Sequence, residues 1–158
     1  MGRDAAAAAA EATVLARDAN FTADFASIRR VRETVFIDEQ RVPRELEFDD
    51  RDPLCHHVLV FDGDTPVGTG RLDLGLGGKV GRVAVVATHR RSGVGRAVME
   101  RLHAIARERK HSRLWCNAQL TAVPFYERLG YVSSGPVFAE AGIDHVRMDY
   151  ALQIDVLV

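Results

Sequence analysis

The sequence predicts a mixed α/β domain, and three observations carry that prediction. Short apolar runs of strand length recur along the chain, with glycine-rich turns between them. Two longer stretches carry the spacing of amphipathic helices instead. No repeat period and no internal linker divides the 158 residues, a length that suits one domain.

Residues 1–12 read as a disordered or frayed tail, because the alanine run from Ala5 to Ala10 has nothing to anchor it. The domain is then expected over 13–158, starting with a strand at 13–17. A helix follows over 22–37, where Phe25, Ile28, Val31, Val35 and Phe36 recur at helical spacing. Arg32 shares that spacing, but with Arg29 and Arg30 it reads as the wet face of the helix rather than a nucleic-acid patch. Pro43 stops the helix. The stretch 45–53 holds five carboxylates in nine residues without a helical stripe, so a loop, or one helical turn and a loop, is expected.

Strands at 57–61 and 66–72 flank Asp62-Gly63-Asp64, a hairpin signature. A glycine-rich connection at 74–78 leads to a strand at 79–86. The longest helical pattern spans 92–109, with Val94, Val98, Leu102, Ile105 and Ala106 as its apolar stripe. A strand at 114–118 and a short helix at 123–129 follow, the helix closed by Gly130. The last strands are expected at 131–136, broken, and at 145–152.

Bulk properties narrow the function classes. A formal net charge of -1 provides no general steering toward nucleic acid. No apolar run approaches membrane-spanning length, and the N-terminus does not read as a secretory signal. A soluble cytoplasmic protein is the default expectation. Cys55 and Cys116 sit in apolar stretches and read as buried, reduced thiols. Cys116 as a covalent nucleophile is disfavoured, since no His or Asp neighbours it in sequence. The histidines show no His-x-x-x-His spacing and the cysteines no Cys-x-x-Cys, so no metal is expected.

The informative segment runs from the apolar strand Val83-Ala84-Val85-Val86 through Arg90-Arg91-Ser92-Gly93-Val94-Gly95-Arg96 into the long helix. A helix N-terminus leaves amides unpaired and carries partial positive charge, which suits a phosphate or pyrophosphate. Gly93 and Gly95 would let an anion reach the backbone, and Arg90, Arg91 and Arg96 add positive charge. Successive amides from about Arg91 to Arg96 are placed to form a nest. Tight helix packing alone is the competing explanation for the two glycines. The dinucleotide and nucleotide-triphosphate fingerprints both fail to match.

Arg90-Arg91-Ser92-Gly93-Val94-Gly95 resembles the pyrophosphate loop of the GNAT superfamily of N-acetyltransferases, Gln/Arg-x-x-Gly-x-Gly/Ala. Asn117-Ala118-Gln119 and the phrase Phe125-Tyr126-Glu127-Arg128-Leu129-Gly130-Tyr131 resemble the second half of that family's site. The segments Val31 to Gln40, Glu47-Phe48-Asp49 and Gly142 to Met148 are similar to its ElaA-like branch, with Asp144 departing where proline is expected.

The resemblance implies a mostly antiparallel sheet with helices on both faces, in which a central parallel pair, 83–86 and 114–118, splays apart. It implies acetyl-CoA as co-substrate and an amine acceptor, small molecule or peptide. Val83, Ala84 and Val85 would line the pantetheine arm, with a backbone N–H near Val85 polarising the thioester. Arg90 to Arg96 would hold the pyrophosphate, with Asn117 and Phe125 also at the cofactor and Tyr126 as general acid. Dimerisation is common in that family, and nothing in the sequence decides it. Direct transfer also needs a base or acceptor-orienting groups, for which Glu47, Asp49, His57 and His145 are candidates and Phe36 a pocket wall. The carboxylates at 45–53 are either a solvated loop or a negative pocket for a cationic amine. A catalytically silent acyl-CoA-binding module is the rival expectation.

Overall fold

In a computed structural model, residues 14–153 are described. The predicted tail at 1–12 and the first residue of the predicted first strand lie outside them. Seven strands form one sheet in the order β1-β2-β3-β4-β5-β7-β6. They are β1 (Ala16–Ala19), β2 (His56–Asp62), β3 (Thr65–Asp73), β4 (Lys79–Val85), β5 (Arg113–Gln119), β6 (Val132–Glu140) and β7 (Ile143–Ala151). Every neighbouring pair is antiparallel except β4–β5, which is parallel and joined at a single position, Lys79 opposite Trp115. Beyond that point the two strands diverge.

A bulge in β4 accompanies the divergence. Thr69 faces Ala84 but Arg71 faces Gly81, so Arg82 and Val83 together oppose Gly70. Arg82 takes a left-handed backbone (φ 51°), uncommon for a residue with a side chain. The extra residue adds twist and turns the end of β4 away from β5.

Helix α1 (Phe25–Arg32) continues directly into a π-helical stretch, Glu33–Glu39, and a single turn, α2 (Arg44–Glu47), follows. The expected helix at 22–37 is therefore two kinds of helix. The wider turns, such as the Gln40 amide donating to the Val35 carbonyl, are the reason. Phe25 is partly exposed, while Arg32 is fully buried, which corrects its reading as wet face. Helix α3 (Val94–Glu108) carries the predicted stripe, and α4 (Val123–Arg128) is short as expected.

The sheet separates two apolar layers. Ala84 packs with Val31, Val35 and Phe36 under α1, whereas Val83 and Val85 point to the α3 side with Val94, Val98 and Leu102. Each fully buried side chain of the α3 stripe contributes about 1.5–3 kcal/mol. Helix α3 lies against β3 because Gly68 and Gly70 leave room for it. A Cβ on Gly68 would come within 2.5 Å of Val94, and one on Gly70 within 2.6 Å of Val98. That close seat sets the N-terminus of α3 beside the open end of β4. Strand β6 is interrupted, as expected, by a register shift between Ser134 and Phe138.

Candidate active site

The divergence of β4 and β5 opens a cleft of about 780 Å³, ordinary for a small-molecule site. Val83, Ala84, Val85 and Arg90 line one wall, Asn117 and Tyr126 the other. The Val86 amide donates to the Val67 carbonyl of β3 at 3.0 Å. Strand alternation therefore turns the polar backbone groups of Val85 toward the cleft, where β5 no longer pairs with them.

At one end of the cleft is the Arg90–Arg96 loop. Arg91 (φ 62°) and Gly93 (φ 86°) are both left-handed. No protein acceptor among the described residues takes the amides of Arg91 through Arg96. The first backbone bond of α3 is from the Ala97 amide to the Gly93 carbonyl, at 3.0 Å. Alternating handedness of this kind gathers successive amides into an anion-binding concavity, here at the positive end of α3. The two glycines have different causes. Gly93 has open space around it and is required by its left-handed backbone. Gly95 is favoured by packing, since a Cβ there would lie 3.2 Å from the Phe125 ring.

Phe125 is thus the packing partner of Gly95. It meets Tyr126 edge to face at 5.1 Å, and Tyr131 meets Tyr126 from another side at 5.4 Å. Burial pushes the Tyr126 phenol well above its usual range, so it stays protonated at neutral pH. No protein hydrogen bond ties up its hydroxyl among the described residues, and it is not sealed from solvent. Both cysteines are held as thiols, each pushed up to about 12 by burial; Cys116 is buried as expected, whereas Cys55 is only half-buried.

At the opposite end, three arginines from three elements converge on the acidic segment. Arg32 of α1 donates to Glu47 Oε1 at 2.8 Å and to Asp52 Oδ1 at 2.7 Å. Arg71 of β3 grips both oxygens of Asp49, at 2.7 and 2.9 Å, and also reaches Asp52 at 2.7 Å. Arg82, projected by the bulge, donates to the carbonyls of Leu46 and Glu47 and lies 3.3 Å from Asp49 and from Glu47 Oε1. Burial raises the Glu47 carboxyl above its ordinary value despite these arginines. For Asp49 burial acts in the same direction, but the Arg71 hydrogen bonds and the Arg71 and Arg82 charges outweigh it and hold the group at about 2. Glu47, Asp49 and Asp52 are thus balanced by three guanidiniums rather than forming a net negative pocket, while Glu45 and Asp50 of the same segment are exposed. Glu47, Asp49 and Arg82 nevertheless border the cleft, as does Phe36.

His145 is buried at the cleft wall on β7. One ring nitrogen, Nδ1, lies 2.6 Å from the Ile143 carbonyl. A carbonyl only accepts, so Nδ1 carries a proton and Nε2 is left on the other side of the ring, 4.0 Å from Glu140. His57 does not join the site. Its Nε2 donates to the Asp52 carbonyl at 2.7 Å and its ring stacks on Phe21, which commits it to holding the 52–54 turn.

Sequence reasoning missed Glu39, Gln40, Arg82 and Gln119. Gln119 donates to Gln40 at 2.8 Å across the cleft wall. For Arg32 the signal existed, since it shares the helical phase of Ile28 and Val35. For Arg82 there was none, because a bulge breaks the strand alternation that would reveal it.

Comparison with known proteins agrees with this architecture. The family model for the acetyltransferase (GNAT) domain matches residues 15–152. An uncharacterized N-acetyltransferase of Bacillus subtilis, YjcF, is 44% identical over 120 residues, covering 75% of this chain and 86% of that protein. An acyl-CoA N-acyltransferase from Pseudomonas aeruginosa superposes with a TM-score of 0.76 at 25% identity, covering 88% of this chain and 100% of the other. Escherichia coli ElaA shares the fold at a TM-score of 0.76 and 23% identity, over 85% and 97% of the two chains. With a cleft opened by one splayed parallel pair and a family match over nearly all of its described residues, the chain belongs to the GNAT acetyltransferase family.

Proposed function

We propose that this enzyme transfers the acetyl group of acetyl-CoA directly to a primary amine. The unpaired amides of Arg91–Arg96 beside the open edge of β4 carry the reading, because a diphosphate joined to an extended amide-bearing arm suits both at once. Arg91 and Arg96 add charge at the loop. The backbone of Val83–Val85 and the side chain of Asn117 would align the arm.

The acceptor nitrogen attacks the thioester carbon, and the carbon–sulfur bond breaks. As the carbonyl oxygen gains charge, the Val85 amide on the open edge of β4 is the donor that meets it. The departing thiolate takes the proton of the Tyr126 hydroxyl, which burial keeps protonated. The proton lost by the amine passes to Nε2 of His145, whose other nitrogen is already committed to Ile143. Glu47 acts as a positioning residue. Its carboxylate is occupied by Arg32 and Arg82, which fix α2 against β4.

Calorimetry with acetyl-CoA, followed by an amine screen for CoA release, tests the reading. Tyr126→Phe should lower kcat by about 10²-fold or more with donor affinity nearly unchanged, and His145→Gln should also lower kcat. No saturable heat with acetyl-CoA would reject donor binding altogether. Full turnover in Tyr126→Phe would return the chain's tyrosine to a packing role. Donor binding without turnover toward any amine would favour the silent acyl-CoA-binding module instead.

A further inference from the structure

Arg90 occupies the first position of the anion loop, yet its side chain reaches back into the cleft. Its Nε donates to the Val85 carbonyl at 3.0 Å, and its Nη2 lies 2.9 and 2.8 Å from the two oxygens of Glu39. Glu39 ends the π-helical stretch on the facing wall. The pair therefore spans the mouth of the cleft from donor side to acceptor side.

The carboxylates bordering the cleft differ in how firmly they are held. Glu47 and Asp49 are committed to arginines from α1, β3 and β4. Glu140 lies 4.0 Å from His145. Glu39 alone of these is paired with the cation of the anion loop. That pair is substantially exposed, at 43% for Arg90 and 34% for Glu39, so it contributes little net stability and exchanges readily. A diphosphate offers a guanidinium more charge and more acceptors than one carboxylate. The Val85 carbonyl that Arg90 occupies belongs to the strand edge an arm would follow.

We infer that Arg90 and Glu39 form an exchangeable latch. Donor binding draws Arg90 to the diphosphate and frees Glu39 to receive a positive charge on the acceptor. This rests on the acetyl-CoA reading above. The attacking nitrogen must be neutral, so a carboxylate that held its ammonium form would oppose the reaction. The charge Glu39 receives is a second one, and the acceptor class is an amine with another cationic centre. By linkage, donor and acceptor strengthen each other's binding.

Calorimetry separates the parts. Glu39→Gln releases Arg90 in advance and should tighten acetyl-CoA about two- to five-fold, the scale of an exposed ion pair. That gain should vanish when Arg90→Gln is added. A gain that persists would reflect only a lost negative charge and would overturn the latch, as would unchanged or weaker binding by Glu39→Gln. With CoA as the loading probe, 1,4-diaminobutane should bind the loaded protein more tightly than the free one, and Glu39→Gln should erase the difference. Equal diamine affinity for both forms, or none for either, overturns the acceptor role of Glu39. If the unaltered chain does not bind acetyl-CoA, the latch falls together with the acetyltransfer reading. If it binds and only the Glu39 results fail, the acetyltransfer reading stands alone.

Discussion

One end of the cleft is made of backbone from consecutive residues, while the other is made of side chains brought from far apart. Arg91 through Arg96 supply amides within one turn, and their geometry depends on two left-handed residues and the start of α3. The other end instead depends on Arg32, Arg71 and Arg82 meeting Glu47, Asp49 and Asp52, from α1, α2, β3, β4 and the segment after α2. A backbone site tolerates most side-chain changes but not a change of conformation. A balanced ion network has the opposite sensitivity, because removing one member leaves buried charge unpaired.

The largest effect should come from breaking that balance. Arg32→Ala strands Glu47 and Asp52 in the interior and should cost about 3–5 kcal/mol in chemical denaturation. Arg32→Met with Glu47→Leu and Asp52→Leu should recover part of the loss. A small cost for Arg32→Ala would mean that water reaches the network and that the two ends are less different than their geometry indicates.

Next in size is the loop. Gly93→Ala keeps open space but forces a side chain into the left-handed region, at about 1–2 kcal/mol, expressed as lower stability or weaker acetyl-CoA binding. Gly95→Ala has ordinary helical backbone and needs only a shift of a few tenths of an ångström by Phe125, so it should cost less. The reverse order, read by thermal unfolding and calorimetry, would show that packing against Phe125 rather than backbone handedness shapes the loop.

The smallest effect is one of pH. Asp49 is held at about 2, below its ordinary carboxylate value of 3.8. A depressed carboxyl stabilises the fold above its unfolded pKa, and the contribution fades as pH falls from about 4 through about 2. Asp49→Asn should flatten that part of the stability profile. An unchanged profile would exclude Asp49 from the acid response and leave it to the other carboxylates.

The Gly93 and Arg32 cases also show how legibility divides. The loop announced itself because its determinants are adjacent: an apolar strand, basic residues, two glycines and a periodic helix. The Phe125–Tyr131 phrase was equally readable. Arg32 had a signal in its helical phase that its charge obscured. Arg82 and Glu39 had none, since a bulge and a π-helix each shift residues out of the period by which faces are assigned. His57 was a candidate because a histidine can serve as a base or orient an acceptor, yet its ring hydrogen-bonds and stacks elsewhere.

Taken alone, the sequence determined the α/β class, the order of nearly all elements, and the glycine-bearing loop at the start of α3 together with the short helix that carries Tyr126. These follow from periodicity and from local backbone chemistry, whose range is a few residues. Only the tertiary structure decided which carboxylates are neutralised, which histidine presents a free nitrogen to the cleft, and which loop arginine spans its mouth. Those properties depend on distances between residues remote in the chain and on burial that strengthens or cancels charge, and neither is written in any local pattern.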